Sequence, residues 1–222
     1  MGLQFPIAVL CSGGLDSAVL LVDTARTAGG STPIFVRGGH LWEPSERAAL
    51  QRFLAAVDDP RIAAIHDLAL PMTDVYGPHW SITGHDSPTW SAPDETVELP
   101  GRNLILLTKA AVLAAINGWS TIAIGTLAGN PFPDATPEFF QRFADVASTG
   151  LRTRIEIIVP FRNLTKAEVI RRGADLPLEL TLSCLHPTPD GLHCGDCNKC
   201  RERVEAFAAS GVPDRTVYAR RR

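Results

Sequence analysis

Short apolar runs rich in β-branched residues alternate along the chain with longer stretches of helical pattern. A short apolar run bounded by turn residues is typical of a buried strand, and 3.6-residue periodicity is typical of a helix. Five strands are predicted, at Phe5–Cys11, Pro33–Val36, Ile62–Leu68, Thr121–Gly125 and Arg154–Val159. Five helices are predicted, at Ser17–Ala28, Pro44–Val57, Arg102–Asn117, Thr136–Ser148 and Lys166–Arg172. Because single helices separate successive strands, this order indicates an α/β fold: a parallel sheet of about five strands with helices on both faces.

Two regions break the alternation. The segment from Pro71 to Pro100 is rich in proline and contains Trp80 and Trp90. A stretch this long without a repeating pattern is typical of a binding loop or a disordered segment, and the two tryptophans favour an ordered covering. From Pro177 onward the alternation stops and cysteines begin. We therefore expect an α/β domain over residues 1–176 and a small C-terminal subdomain, with a terminal helix, over residues 177–222.

Composition and charge exclude several classes of protein. The 222 residues are 45% hydrophobic and 20% charged, which are ordinary values for a globular protein. The net charge of −3 and the pI near 6.1 argue against a protein that coats nucleic acid, and Arg220–Arg222 is a short basic run at the end of the chain. No segment approaches the roughly 20 apolar residues that cross a bilayer, and no cleavable leader is recognisable. We expect no membrane association, a cytoplasmic location and reduced thiols.

The sequence SGGLDS lies between the first predicted strand and the first predicted helix. Unpaired backbone N–H groups and the positive end of the helix dipole favour an anion at such a turn. Gly13 and Gly14 allow the backbone to approach a phosphate closely, and Ser12 and Ser17 add hydroxyl donors. The alternative is an ordinary Gly-Gly turn in which Asp16 or Ser17 caps the helix.

Four of the five cysteines fall in one late segment: Cys184, Cys194, Cys197 and Cys200. Two overlapping C-x-x-C steps and one earlier cysteine give four thiolates that can converge, as tetrahedral Zn²⁺ requires. Disulfides are disfavoured in a reducing compartment, and an iron–sulfur cluster is the main alternative. We predict a closed, structural zinc site. The fifth cysteine, Cys11, ends the first strand and is expected to be a buried apolar residue.

With these features placed, a family resemblance emerges. SGGLDS resembles the pyrophosphate loop of the N-type ATP pyrophosphatases, the PP-loop superfamily, whose members adenylate a carbonyl oxygen and release pyrophosphate. The late segments resemble 7-cyano-7-deazaguanine synthase in order and spacing: LPGRNLILLTKAA, IAIGT, FPDATPEF, PFRNLTKAEVI and the four-cysteine segment. The resemblance covers nearly the whole chain and is weakest between Gly38 and Glu98.

This resemblance implies an ATP-dependent carbon–nitrogen ligase that converts 7-carboxy-7-deazaguanine and ammonia to the nitrile through adenylated intermediates. It implies ATP, Mg²⁺ and Zn²⁺ as cofactors, with ATP bound in residues 1–176 and Asp16 near the magnesium ion. The implied catalytic residues are Asp16, Ser17 and Lys166, and the implied ATP-binding residues are Ser12, Gly13, Gly14, Asp16, Ser17, Arg102 and Asn103. The alternatives are a helix-start role for Arg102 and a surface position for Lys166.

The chain departs from the family where substrate recognition is expected. Many members have Tyr-Pro-Asp-Cys-Arg before Pro-Glu-Phe, whereas this chain has Ala135 and Thr136 in place of the Cys-Arg pair. After the second strand, members usually have Tyr-Gly-Gln-Arg-His, and residues 36–40 here differ from it. Threonine cannot replace an arginine that pairs bidentately with a carboxylate. The ATP half of the expected site is thus intact, whereas the substrate half is changed.

These departures leave other functions open. One is the same adenylating chemistry on a different carboxylate, and another is a non-catalytic nucleotide-binding relative, against which the complete SGGLDS loop argues. A tRNA-modifying enzyme of the superfamily is disfavoured by the acidic charge and the lack of a basic appendage. The expected partners are a deazapurine acid and ammonia, supplied free or by a partner protein. A homodimer is left open.

Overall fold

The computed structural model describes residues 7–220. The five predicted strands form one five-stranded parallel sheet, in the order β3-β2-β1-β4-β5. The strands are β1 (Ile7–Leu10), β2 (Ser31–Arg37), β3 (His66–Ala69), β4 (Thr121–Ala123) and β5 (Glu156–Ile158). Phe5 and Pro6 of the predicted first strand, and Arg221 and Arg222 of the basic run, lie outside the described residues.

Eight α-helices occur in the described part of the chain. They are α1 (Leu15–Ala28), α2 (Glu43–Val57), α3 (Thr73–Tyr76), α4 (Trp80–Thr83), α5 (Arg102–Asn117), α6 (Pro137–Leu151), α7 (Lys166–Arg172) and α8 (Asn198–Ser210). The five predicted helices correspond to α1, α2, α5, α6 and α7, and α8 is the predicted terminal helix. Helix ends follow local chemistry: Gly29 and Gly118 end α1 and α5 in the left-handed conformation, and Thr165 and Glu168 form a capping box at α7.

Helices cover both faces of the sheet, as predicted. Alternate residues of β1 point to opposite faces, so Ile7 and Val9 pack with α1, α7 and α8, whereas Ala8 and Leu10 pack with α5 and α6. Burial on both faces explains why β1 reads as a continuous apolar run. Within residues 7–220, no helix is both long and apolar enough to cross a membrane.

The third strand starts later than predicted. Ile62 makes an isolated bridge to Ser31, but regular pairing between β2 and β3 begins only at Ile34 and His66. The N–H of Ser31 points toward this side of β2, where it donates to Arg61, so position 33 faces the same way. Pro33 has no N–H, which removes a ladder hydrogen bond at the interruption.

The segment over residues 71–100 is ordered, as predicted, and it packs against the cysteine segment. It contains α3, α4 and a short 3₁₀ helix at Asp94–Val97. Asn198 donates to the carbonyl of Ala92 at 2.7 Å and to Asp94 at 3.0 Å, and Arg201 pairs with Asp94 at 2.6 Å. The boundary after residue 176 remains a prediction, although Phe207 of α8 packs in the same buried cluster as β1.

Candidate functional site

A cavity of about 500 Å³ lies where the strand order reverses. β1 and β4 are adjacent, and the chain leads from β1 to β2 on one side and from β4 to β5 on the other. Ligands of open α/β sheets bind at such a switch point, beyond the carboxyl ends of the strands. Seven of the eight residues predicted to act on ATP line this cavity: Ser12, Gly14, Asp16, Ser17, Arg102, Asn103 and Lys166. Gly13 is not among the lining residues.

The SGGLDS loop is held open toward the cavity by hydrogen bonds within itself. The Ser17 hydroxyl donates to the carbonyl of Gly14 at 3.1 Å and accepts from the N–H of Ser12 at 3.2 Å. Gly14, not Asp16 or Ser17, is the N-cap residue of α1, so the interpretation of the loop as a helix cap formed by Asp16 or Ser17 is wrong. The N–H of Leu15, the first residue of α1, donates to the Ser183 hydroxyl at 3.4 Å. Uncapped N–H groups at a helix start favour an anion.

Gly13 has a structural role in this loop. Its φ is +85°, and a Cβ there would lie 2.3 Å from the carbonyl oxygen of Glu46 in α2. Any larger residue would therefore strain the backbone and push the loop away from α2. Gly13 allows the loop to pack closely on α2.

Four charged side chains form a cluster at one end of the cavity. The Lys166 Nζ lies 3.2 Å from Asp16 Oδ2 and 2.5 Å from Glu202 Oε1, and Lys199 lies 2.7 Å from the other Glu202 oxygen. Lys166 is 11% exposed, so the surface interpretation of this residue is wrong. Burial alone would lower the pKa of Lys166, but the negative charges of Asp16 and Glu202 have the larger combined effect and raise it. Burial likewise works against the charge of Glu202, but the two lysines lower its pKa to about 2. Both shifts favour the charged forms of Lys166 and Glu202 at neutral pH.

Asn103 and Arg102, which begin α5, have different surroundings. The backbone N–H of Asn103 donates to Asp134 Oδ2 at 2.8 Å, and its amide donates to the carbonyl of Asp134 at 3.0 Å. These bonds fix the start of α5 against the 133–135 turn. Arg102 lines the cavity. Burial lowers the pKa of His40 to about 4 and the charge of Arg102 adds to that shift, whereas burial raises the pKa of Glu46 and Arg102 only partly offsets the rise. Arg102 thus supplies positive charge beside α2.

The sequence does not predict several charged residues that line the cavity, among them Glu46, Asp134 and Glu202. Asp134 contacts Asn103 and Glu202 contacts Lys166, in each case across more than 30 positions of the sequence, and no local sequence pattern predicts such contacts. Glu46 had a local signal, since it falls on the apolar side of a helix that also carries Trp42, Leu50 and Phe53. A carboxylate in a buried stripe requires either a partner or a ligand.

The four cysteines of the late segment converge as predicted. Their Sγ atoms all lie within 4.8 Å of one another, and Cys194 and Cys200 Sγ are 3.8 Å apart. A tetrahedral zinc ion with Zn–S bonds of about 2.3 Å separates its sulfurs by about 3.8 Å. Backbone N–H groups of Leu185, Cys194 and Asp196 donate to sulfurs of the cluster at 3.3–3.5 Å, an arrangement that stabilises thiolates. The donor set and its geometry fit zinc.

Neither Ala135 nor Thr136, the positions that depart from the family pattern, lines the cavity. Thr136 caps α6 by accepting from the N–H of Phe139 at 3.1 Å, and Ala135 packs in the core beside α5 and α6. Phe132 and Asp134, from the same segment, do line the cavity.

The five-stranded sheet, the open loop at its switch point and the C-terminal cysteine cluster together define a PP-loop α/β protein with a four-cysteine cluster that fits zinc. Comparison with known proteins narrows this class. The family model described as queuosine biosynthesis protein QueC matches residues 7–211. The chain belongs to the QueC family.

Individual relatives agree with this assignment. The chain is 34% identical over 232 residues to 7-cyano-7-deazaguanine synthase of Paramagnetospirillum magneticum, covering 96% of this chain and 99% of the relative. It is also 34% identical over 229 residues to the protein of the same name from Desulfatibacillum aliphaticivorans, covering 95% of each. Among solved structures it is similar to NMN synthetase from Francisella tularensis, with a TM-score of 0.41, 14% identity and coverage of 94% of this chain and 78% of that one.

Proposed function

We propose that this chain is a 7-cyano-7-deazaguanine synthase of queuosine biosynthesis, which uses ATP to join ammonia to 7-carboxy-7-deazaguanine. Family membership over nearly the whole chain supports the reaction. The observation that supports the site is the convergence of the SGGLDS loop, Lys166 and Arg102 on one cavity at the switch point. The three parts come from widely separated stretches of the sequence, and each offers donors to phosphate or carboxylate oxygens.

The proposed reaction proceeds in two adenylations. A carboxylate oxygen of the substrate attacks the α-phosphorus of ATP and displaces pyrophosphate, and ammonia then displaces AMP to give the amide. The amide oxygen attacks a second ATP in the same way and displaces pyrophosphate, and loss of AMP and of both protons from the amide nitrogen leaves the nitrile. In each adenylation the poor leaving oxygen of the substrate becomes part of a good leaving group.

The residues of this chain act mainly on the pyrophosphate. The N–H groups at the start of α1, with the hydroxyls of Ser12 and Ser17, hold the phosphates in line for attack. Lys166 faces the charge that develops as pyrophosphate leaves, and Glu202 and Asp16 keep that lysine protonated and in place. Arg102 is placed at the start of α5 to contact phosphate or substrate.

Asp16 fits the proposed magnesium ion. Its Oδ2 pairs with Lys166, whereas Oδ1 is buried and has no hydrogen-bond partner among the described residues. Carboxylate oxygens are ligands that Mg²⁺ prefers, and when bound it would neutralise phosphate charge. We also propose that the cysteine cluster holds zinc, that the protein acts in the reducing cytoplasm, and that ammonia comes free or from a partner.

The reaction can be tested with ATP, ammonium and a panel of acids. We expect AMP and pyrophosphate, quantified by chromatography, to form with 7-carboxy-7-deazaguanine and not with unrelated aromatic carboxylates. If AMP forms with a different acid and not with 7-carboxy-7-deazaguanine, the alternative function is identified, a PP-loop synthase that adenylates a different carboxylate. ATP binding without turnover of any acid would favour a non-catalytic relative and would contradict the proposal.

A further inference from the structure

Glu46 is a buried carboxyl group that faces the cavity. It is 8% exposed, it lines the cavity, and no described residue donates a hydrogen bond to it. Burial raises its pKa to about 8, against the opposing effect of Arg102, and Glu43 adds to the rise. A carboxyl group that burial penalises and that opens only onto a cavity, without a hydrogen-bond partner in the protein, is placed to bind a ligand there.

The neighbouring carboxylates already have partners. Glu43 accepts from the backbone N–H groups of Gly38, Gly39 and His40 at 2.7, 2.8 and 3.1 Å, so its oxygens are occupied by the loop after β2. Asp16 pairs with Lys166 at the phosphate end of the cavity. The charged groups that act on Glu46 are Arg102 and Glu43, not the lysine cluster. Glu46 therefore belongs to a second polar region of the cavity, on the α2 side of the SGGLDS loop and outside the lysine cluster, with its backbone carbonyl packed against Gly13.

Aromatic side chains surround this second region. Trp42 lies one helical turn before Glu46, is 3% exposed and lines the cavity. It stacks on Trp80, which also lines the cavity, with ring centroids 5.7 Å apart. Pockets for small molecules combine apolar area with a few placed polar groups. A carboxylate beside two indole rings therefore suits a flat ring with polar edges.

We propose that Glu46 is a specificity-determining residue that recognises the guanine-like edge of the substrate, a proposal that rests on the proposed function. The pyrimidinone edge of 7-carboxy-7-deazaguanine presents two adjacent donors, the ring N1–H and the 2-amino group. In its ionised form, which two facing donors favour, the Glu46 carboxylate can accept both in a bidentate arrangement. The adenine edge of ATP presents one amino group beside a ring-nitrogen acceptor, which a carboxylate pairs with poorly. The substrate carboxylate, at the opposite side of the ring system, is then free to face the phosphates.

Titration calorimetry in the presence of a non-hydrolysable ATP analogue tests this proposal. We expect Glu46→Gln to weaken binding of 7-carboxy-7-deazaguanine by tenfold or more, since the amide puts an N–H against a donor. For an analogue that lacks the 2-amino group, the same substitution should weaken binding by no more than about threefold. Binding of the ATP analogue alone should be unchanged. The matched control is Glu95→Gln, the same change at an exposed carboxylate of the same cavity, and it should leave substrate binding unchanged.

A stability measurement separates this role from a structural one. The pKa of Glu46 is raised in the folded state, so the cost of ionising it is small near pH 4.5 and grows as the pH rises toward 8. Glu46→Gln should therefore raise the melting temperature by at least about 4 °C at pH 8.5 and by less at pH 5. A residue that supported the fold would show the opposite sign.

Two results would overturn the proposal alone. In the first, the Glu46→Gln variant binds the acid as tightly as the wild-type protein does. In the second, the substitution weakens binding of the ATP analogue as much as binding of the acid, which would place Glu46 on the ribose hydroxyls. If the wild-type protein binds the ATP analogue but not the acid, the proposed function fails and this proposal fails with it.

Discussion

Asp16→Ala is expected to lower ATP turnover by about 10²–10³-fold or more while leaving the fold intact. Asp16 lies in the first turn of α1, where its Oδ2 pairs with Lys166 and its Oδ1 is buried without a hydrogen-bond partner among the described residues. Its removal deletes little apolar packing, and Lys166 keeps its contact with Glu202. Pyrophosphate release measures the loss, and circular dichroism and the melting temperature report on the fold.

The matched control for this substitution is Asp23→Ala. Asp23 lies on the same helix and also pairs with a basic residue, Arg172, at 2.7 Å, but it does not line the cavity. We expect its turnover to be close to that of the wild-type protein. Pyrophosphate release at the wild-type rate by Asp16→Ala would remove this residue from the catalytic set.

Cys197→Ser is expected to cause the largest loss of stability, at least about 4 kcal/mol, together with loss of the bound metal. Cys197 is buried in a cluster of four sulfurs, and metal binding at such a site contributes directly to folding. Elemental analysis of the wild-type protein should give one zinc per chain. Cys11→Ala is the matched control, because Cys11 is also buried but lies outside the cluster and should keep the zinc.

The effect of metal loss should reach the cavity through the 71–100 segment. Thr89 bridges to Cys197, and Asn198, the next residue, holds Ala92 and Asp94. Chelation of the metal should therefore make residues 71–100 sensitive to limited proteolysis before the sheet unfolds. Iron with visible absorbance, or a folded and stable protein without metal, would contradict the zinc assignment.

The sheet could be predicted because its signal is local. Each strand lies in or beside a short apolar run, and the crossovers contain helices whose pattern is visible in the sequence. The start of β3 was misplaced because Ile62 is apolar and continues the run. Its pairing is interrupted by Pro33, a residue of another strand, and no local pattern shows that neighbour.

The candidate site could be predicted only in part, for the same reason. The SGGLDS loop is contiguous, so its turn and its donors are visible in six residues. The contact between Asn103 and Asp134 spans 31 positions, and the contact between Lys166 and Glu202 spans 36. Such pairs form only when the crossovers bring distant helix ends to one edge of the sheet. The family resemblance supplied Asn103 and Lys166, but not the acidic partners that orient them.

The product of the reaction gives the most direct test of whether this chain is a nitrile-forming synthase. The purified protein is incubated with ATP, Mg²⁺, ammonium and 7-carboxy-7-deazaguanine, and the purine products and AMP are quantified by mass spectrometry and chromatography. Because both the acid and the amide are adenylated, we expect 7-cyano-7-deazaguanine with two AMP formed per nitrile. An amide that accumulates with one AMP and is never converted, or no change in the acid while ATP is bound, would contradict the proposed function.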